Sequence, residues 1–160
     1  MQIFFSYGHD KHREVVKKLA DEIKQLSNGD ITVWIDSHEI LRDSHWRERI
    51  TDGILKSDSV IAFLSEYSSR ERSVCLDEIS IALVSKHGMI RTILLESPSK
   101  FTPSSRVTEY QWGDMSDYPV QKEKGSKEYD EYIRLHANEI IFGGVDPMNN
   151  IIIYKYLEKW

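Results

Sequence analysis

A single acidic residue, Glu78, stands where a carboxylate could take part in chemistry. It belongs to the segment Ser73-Val74-Cys75-Leu76-Asp77-Glu78-Ile79, which follows a polar, charged stretch and opens a predicted helix. Apolar residues at helical spacing, with Ile79 and Ala82 on one face, place Glu78 at the border of the buried stripe. A carboxylate half-withdrawn from water tends to have a raised pKa and to be chemically useful. The other interpretation is a solvated glutamate near a helix N-terminus, where negative charge is favoured.

The other residues with chemical potential form weaker patterns. Four histidines come near predicted strand ends but lack metal-ligand spacing and matching acidic or thiol neighbours: His9, His12, His38 and His45. Cys75 has no evident base nearby in sequence, so we expect a small buried thiol rather than a nucleophile. Neither GxGxxG nor a Walker-type GxxxxGKS/T motif occurs. We therefore expect no metal site and no standard phosphate loop.

Composition limits the class of protein. The chain has 160 residues, of which 40% are hydrophobic and 29% charged, as in an ordinary globular domain. Its formal net charge of -5 argues against a nucleic-acid surface. One cysteine excludes a disulfide framework and indicates a reducing compartment. Because no apolar run reaches membrane-spanning length and no signal peptide is evident, we expect a cytoplasmic domain without membrane contact.

Short apolar runs alternate with amphipathic stretches along the chain. Strands are predicted at residues 3–5, 31–35, 59–64 and 90–95, and a weaker, alternating one at 107–112. Candidate caps and stops of the intervening helices are Asp10, Asn28-Gly29, Asp43 or Ser44, His87-Gly88 and Ser126. This alternation predicts an α/β, flavodoxin-like doubly wound sandwich, a five-stranded parallel sheet with helices on both faces.

In such sheets ligands bind beyond the carboxyl ends of the strands. This rule brings residues 7–10, residues 36–43, residues 65–66 and the start of the Glu78 helix to a single rim. A phosphorelay receiver shares the fold but needs paired acids after the first strand and an aspartate ending the third. Gly8-His9-Asp10 and Leu64-Ser65-Glu66 stand there instead, so a receiver is a poor interpretation.

Four segments are distinctive as an ordered set. They are Phe4-Phe5-Ser6-Tyr7, Trp34-Ile35-Asp36-Ser37-His38-Glu39-Ile40 with Trp46, Ser57-Asp58 through Phe63-Leu64-Ser65, and Cys75-Leu76-Asp77-Glu78. Together they resemble the boxes of a Toll/interleukin receptor (TIR) domain, which would span residues 1–142. The resemblance is greatest to the bacterial and plant branch, many of whose members cleave NAD.

The resemblance implies that Glu78 is the catalytic glutamate, the third residue after the cysteine in the family's CxxE segment. It also implies that residues 36–46 form the BB loop, which lies over the active site and mediates assembly. The substrate-binding positions on the rim would be Tyr7, Gly8, His9, Asp36, Glu39, Trp46 and Val74. NAD would be a substrate rather than a bound cofactor, cleaved to nicotinamide and ADP-ribose or a cyclic ADP-ribose. The implied setting is an immune or anti-phage effector activated by self-association.

Three positions depart from the family pattern. Val74 stands where many active members have an aromatic residue, Asp43 stands at a loop glycine, and Gly8 stands where some members have a basic residue. A stacking ring would then come from Tyr7, Trp46 or Trp112, and His9 would be the nearest cation. The alternative is a module without catalytic activity that assembles with other TIR domains through its rim loops.

The last residues, 143–160, are surplus to a five-stranded sandwich. Their Ile151-Ile152-Ile153-Tyr154 run is too apolar to stay solvated, and Gly143-Gly144 precedes it as a flexible break. We expect a C-terminal extension that packs on the body or on a neighbouring subunit. In a longer native chain it would lead toward another domain.

Overall fold

Five strands and five helices make up the part of the chain that the structure describes. The computed structural model describes residues 1–35, 45–71, 73–86, 89–105, 107 and 112–142. The strands are β1 (Gln2–Ser6), β2 (Thr32–Ile35), β3 (Ser59–Leu64), β4 (Ile90–Leu94) and β5 (Trp112–Asp114). The helices are α1 (Arg13–Leu26), α2 (Trp46–Lys56), α3 (Val74–Ser85), α4 (Tyr118–Lys124) and α5 (Ser126–Phe142).

The five strands form one parallel sheet in the order β2-β1-β3-β4-β5. Phe5 of β1 pairs with Ile35 of β2 on one side and with Ile61 of β3 on the other. Strand order and direction confirm the predicted flavodoxin-like sandwich. In this order the winding of the chain reverses between β1 and β3, which is where doubly wound sheets bind ligands.

The residues of β1 alternate between the two faces of the sheet, as a strand requires. Ile3 and Phe5 belong to the core cluster that packs against α1 and α5. Phe4 belongs to the cluster on the opposite face, with residues of α2 and α3. In the same alternation Ser6 faces α3, whereas Tyr7 returns to the α1 side. This alternation decides which rim residues can meet.

The signals at the two ends of α1 act differently. Asn28 and Gly29 both have positive φ, and the Gly29 amide donates to the carbonyl of Lys24, which confirms the predicted helix stop. Asp10 does not occupy the N-cap, which is His12. Its Oδ1 accepts from the His12 amide at 2.9 Å, so Asp10 fixes the turn that leads into the helix.

Two elements near the C-terminal end differ from prediction. The last strand is described at Trp112–Asp114, which extends past the predicted end at residue 112. Val107, the predicted first residue, is buried in a turn, and residues 108–111 lie outside the described residues. Helix α4 was not predicted, because it has seven residues and only Tyr118 among them is buried, which leaves no apolar stripe to detect. Val107 and Tyr118 are part of the core, but the spacing of the apolar residues does not predict where the strand and the helix lie.

The predicted cap at Asp43 or Ser44, the stop at His87-Gly88 and the extension 143–160 lie outside the described residues. Within the described part of the chain, no helix has the length and apolarity needed to cross a membrane.

Candidate active site

A buried hydrogen bond joins the carboxyl end of β1 to the second turn of α3. The hydroxyl of Ser6 donates to Oε2 of Glu78 at 2.5 Å. Only 5% of Glu78 is exposed, so the carboxylate is buried rather than half-exposed as the helical pattern predicted. The difference arises because Ser6, 72 residues away in sequence, supplies a donor that makes burial of a polar group tolerable. The pair lies at the β1/β3 reversal, where the sheet rule predicts a ligand site.

Two features of helix α3 fix the position of Glu78, a capping residue before it and a buried residue after it. Ser73 is the N-cap, and its hydroxyl accepts from the Cys75 amide at 3.2 Å. Ile79, the next residue after Glu78, is buried against Ala62 and Leu64 of β3. The sequence-predicted helix start at Ser73 is thus confirmed, and its cap sets the register in which Glu78 faces Ser6.

Cys75, one helical turn before Glu78, is buried and cannot act as a nucleophile here. Burial and the negative charge of Glu78 raise the pKa of its thiol to about 12, against smaller opposing effects of hydrogen bonds with Ser73 and Ser6. At neutral pH the thiolate that nucleophilic chemistry requires is therefore absent. The predicted role as a small buried thiol fits this environment.

The structure separates Tyr7 from the carboxylate. Only 2% of Tyr7 is exposed, and its ring packs in the core cluster on the α1 side of the sheet, opposite the face where Ser6 meets Glu78. The ring is paired with that of His9, at a centroid distance of 4.6 Å. The expectation that Tyr7 offers its ring to a substrate at Glu78 is not supported, because strand alternation turns it into the core. His9, partly exposed, remains on the rim.

Gly8 has no room for a side chain. A Cβ atom built there would lie 2.8 Å from Cδ1 of Tyr67 and 3.2 Å from the Ser68 amide nitrogen. Tyr67, in the loop between β3 and α3, thus fills the space that a larger residue at position 8 would need. A larger residue at position 8 would therefore require the Tyr67 ring or the backbone of this loop to shift.

Four predicted site residues remain, and they differ in where they lie. Trp46 is partly buried and packs on the cluster beneath α2, with the guanidinium of Arg47 5.3 Å from its ring centroid. Val74 is exposed at the first position of α3. Asp36 and Glu39 lie outside the described residues. The structure thus brings Gly8, Val74 and Glu78 to one rim and gives Trp46 a packing role.

A second polar cluster, centred on Glu96, was missed from the sequence. Glu96 follows β4 and is buried, with Oε1 2.5 Å from Lys11 Nζ and 3.2 Å from His12 Nε2. Its Oε2 accepts from the Glu66 amide at 2.8 Å, and Nδ1 of His12 lies 2.7 Å from the Tyr118 hydroxyl. One carboxylate therefore connects the loops after β1, β3 and β4. The sequence feature that could have indicated this cluster is the position of Glu96, a charged residue directly after a predicted buried strand.

The Glu96 cluster predicts a stability that depends on acid pH. Burial by itself would raise the pKa of Glu96, but hydrogen bonds from Lys11 and from the Glu66 amide, together with the neighbouring His12 imidazole, lower it to about 2. Because the folded pKa lies below the unfolded value of about 4.3, the stabilisation is present above that value and disappears as pH falls toward 2. Between about pH 6 and about pH 3, the urea midpoint of the wild type should fall more than that of Glu96→Gln.

The matched control is Glu71→Gln, which removes an exposed carboxylate from the neighbouring loop. It should keep the acid sensitivity of the wild type. Equal pH dependence in Glu96→Gln and the wild type would show that Glu96 does not stabilise the fold through its charge.

A cavity of about 370 Å³ lies on the α1 side of the sheet, between α1 and the α4–α5 pair. Among the charged residues that line it, Lys122 is paired with Glu14 at 2.9 Å, and Lys11 is paired with Glu96. Because Glu78 faces the opposite side of the sheet, this cavity is separate from the candidate active site.

Comparison with known proteins adds a family and a fold. The family model described as TIR domain matches residues 3–130. The TIR domain of the Toll-related receptor TRR-2 from Hydra magnipapillata is similar with a TM-score of 0.56 and 17% identity, over 82% of this chain and 97% of that chain. The TIR domains of the activated Roq1 resistosome, which recognises the pathogen effector XopQ, are similar with a TM-score of 0.50 and 16% identity, over 99% of this chain and 98% of that chain. A prokaryotic SEFIR domain is similar with a TM-score of 0.53 and 20% identity, over 84% of this chain and 96% of that chain. No curated protein sequence gives a significant match.

Proposed function

This chain belongs to the TIR domain family, and from that premise we propose that it cleaves the bond between nicotinamide and ribose in NAD, with Glu78 as the catalytic carboxylate. The observation that carries the proposal is the Ser6–Glu78 hydrogen bond at the β1/β3 reversal. A buried acidic residue is expensive to keep unless it has a role, and this one lies where the fold binds ligands. The products are nicotinamide and ADP-ribose, linear or cyclic, in an immune or anti-phage response.

The chemistry asks little more than one fixed carboxylate. When the bond between ribose C1′ and the pyridinium nitrogen breaks, its electron pair goes to nicotinamide, which leaves as a neutral base. Positive charge then develops on C1′ and the ring oxygen of the ribose, and a carboxylate stabilises it as in glycoside cleavage. Water adds to C1′ and loses a proton, which gives ADP-ribose. Attack by a nitrogen of the adenine instead gives the cyclic product.

Ser6 prepares the carboxylate for this task. A hydroxyl donor at 2.5 Å fixes the orientation of the Glu78 side chain, so little reorganisation is needed as charge develops. The same geometry sets a condition, because a carboxylate 5% exposed must be uncovered before a ribose can reach it. We propose that self-association supplies the active arrangement. The TIR domains of the Roq1 resistosome, a protein similar in fold to this chain, support that part of the proposal.

The test is to incubate the protein with NAD over a wide range of protein concentrations and to identify the products by mass spectrometry. We expect free nicotinamide with linear or cyclic ADP-ribose, and a specific activity that rises with protein concentration because the active form is an assembly. Sedimentation velocity on the same samples would show whether assembly and activity appear together. An assembled protein that releases no nicotinamide would contradict the proposal and favour the non-catalytic interaction module.

A further inference from the structure

An exposed aromatic–guanidinium pair lies on the loop between β3 and α3. The guanidinium carbon of Arg70 is 3.5 Å from the ring centroid of Tyr67, and its Nε donates to the Tyr67 carbonyl at 2.9 Å. Tyr67 is 43% exposed, although it is a large aromatic residue. The Arg70 side chain is thus held in one geometry at the surface, where a long side chain is ordinarily mobile.

The loop that carries this pair is anchored from below. The Ser65 amide donates to the Ser68 hydroxyl at 2.8 Å, and that hydroxyl donates to the Phe63 carbonyl at 2.9 Å. The Glu66 amide donates to buried Glu96 at 2.8 Å. Both serines are buried, so the backbone of residues 65–68 is fixed, whereas the side chains of Tyr67 and Arg70 are exposed. A site whose donors are preorganised loses less free energy when it binds a ligand.

Two separate contacts connect Tyr67 and Arg70 to the segments that hold Glu78. The edge of the Tyr67 ring fills the space beside Gly8, two residues after the serine that binds Glu78. The Arg70 carbonyl accepts from the amide of Ser73, the N-cap of the helix that holds Glu78. Tyr67 and Arg70 therefore lie on the same rim as the carboxylate, between the ends of β1 and β3.

The terminal nitrogens of Arg70 have no hydrogen-bond or ion-pair partner among the described residues. Its one hydrogen bond among the described residues uses Nε, and no described carboxylate forms an ion pair with it. Glu66 and Glu71 are in the same loop, yet neither is paired with Arg70. By contrast, Lys11 on the same rim is already bound to Glu96. A planar guanidinium with both terminal nitrogens available matches the paired oxygens of a diphosphate.

We infer that Arg70 binds the diphosphate of the substrate and that Tyr67 is a positioning residue that holds the guanidinium plane. The inference rests on the proposed cleavage of NAD, because the reacting ribose at Glu78 and the diphosphate are neighbouring parts of one molecule. It assigns the ADP half of the substrate to the loop between β3 and α3. The chemical class recognised there is a nucleoside diphosphate.

The test compares Arg70→Gln with the wild type in steady-state NAD cleavage and in ADP-ribose binding by isothermal titration calorimetry. We expect the KM for NAD and the Kd for ADP-ribose to rise about tenfold together, with kcat changed by less than about twofold. Arg70→Lys should recover part of the loss, because it keeps the charge without the planar fork. Tyr67→Leu should raise both constants less than Arg70→Gln. The control Arg134→Gln removes an exposed guanidinium on α5, on the other side of the sheet, and should leave both constants unchanged.

A merely structural role for the loop gives a different result. In that case Arg70→Gln would lower the melting temperature and kcat while leaving the KM for NAD and the Kd for ADP-ribose unchanged, which would overturn the inference. If the wild type does not cleave NAD, ADP-ribose titration still decides. Binding that weakens in Arg70→Gln supports the diphosphate site, whereas equal binding, or none by the wild type, overturns it.

Discussion

Glu78→Gln should lower the rate of NAD cleavage by about a hundredfold to a thousandfold and leave the protein folded. The substitution removes the negative charge that stabilises the positive ribose, and a preorganised contact of this kind contributes about 3 kcal/mol or more to transition-state stabilisation. The amide has almost the same shape, and its oxygen can still accept from Ser6, so the packing around α3 changes little. The measurements are kcat for NAD, with folding followed by circular dichroism and thermal unfolding.

The matched control is Asp77→Asn, which removes the same charge from the adjacent, exposed position of the same helix. Since Asp77 is in solvent, its loss should alter activity and stability only slightly. If folded Glu78→Gln kept the activity of the wild type, Glu78 would not be the catalytic carboxylate. If both variants lost activity alike, the effect would come from the charge of the helix rather than from one carboxylate.

Phe4→Ala should have the largest effect on stability, lowering the free energy of unfolding by about 3 to 5 kcal/mol. Phe4 is completely buried, and its ring stacks on Trp34 of the neighbouring strand with centroids 4.8 Å apart and planes 14° from parallel. The truncation removes this stack and leaves a cavity between the sheet and α2. Because domains of this size are stable by about 5 to 15 kcal/mol in total, a large share of the folded state would be lost. Urea unfolding at equilibrium gives the change directly.

Leu55→Ala is the control for Phe4→Ala, since Leu55 is a large apolar side chain exposed near the end of α2. It should cost no more than about 0.5 kcal/mol. A similar loss in the two variants would mean that the cluster under α2 does not carry the stability of the domain. Phe4 and Ser6 share one strand and one face, so Phe4→Ala also tests whether this packing holds the Glu78 partner in place.

The hydrophobic pattern was sufficient to predict the sheet. Runs such as Val60 to Leu64 are apolar at every position, which is typical of a parallel strand buried on both faces, and the helices between them have clear stripes. Local signals were also sufficient for the start of the Glu78 helix and for the stop at Asn28-Gly29, because each depends on residues only a few positions apart. The last strand was placed too early because the alternating pattern includes Val107, which lies in a turn, and α4 was missed because its burial comes without periodicity.

The sequence was sufficient to predict where the candidate site lies, but not the burial and hydrogen bonding of its residues. The sheet rule placed Glu78 on the rim, yet its burial depends on Ser6, and no local pattern shows a partner 72 residues away. The face of Tyr7 follows from strand alternation only once the ends of β1 are known. Glu96 and Arg70 act through contacts between loops, which a reading of one segment at a time does not reveal.

Chemical modification of Cys75 can report when the site around Glu78 opens to solvent. The chain carries one thiol, three residues before Glu78 on the same helix, shielded from solvent and with its pKa raised to about 12. Alkylating reagents need an accessible thiolate, so the closed protein resists them. We expect a rearrangement that admits solvent to the carboxylate to expose this neighbouring sulfur as well. The rate of thiol alkylation would therefore time the uncovering of Glu78 whether or not a substrate is present.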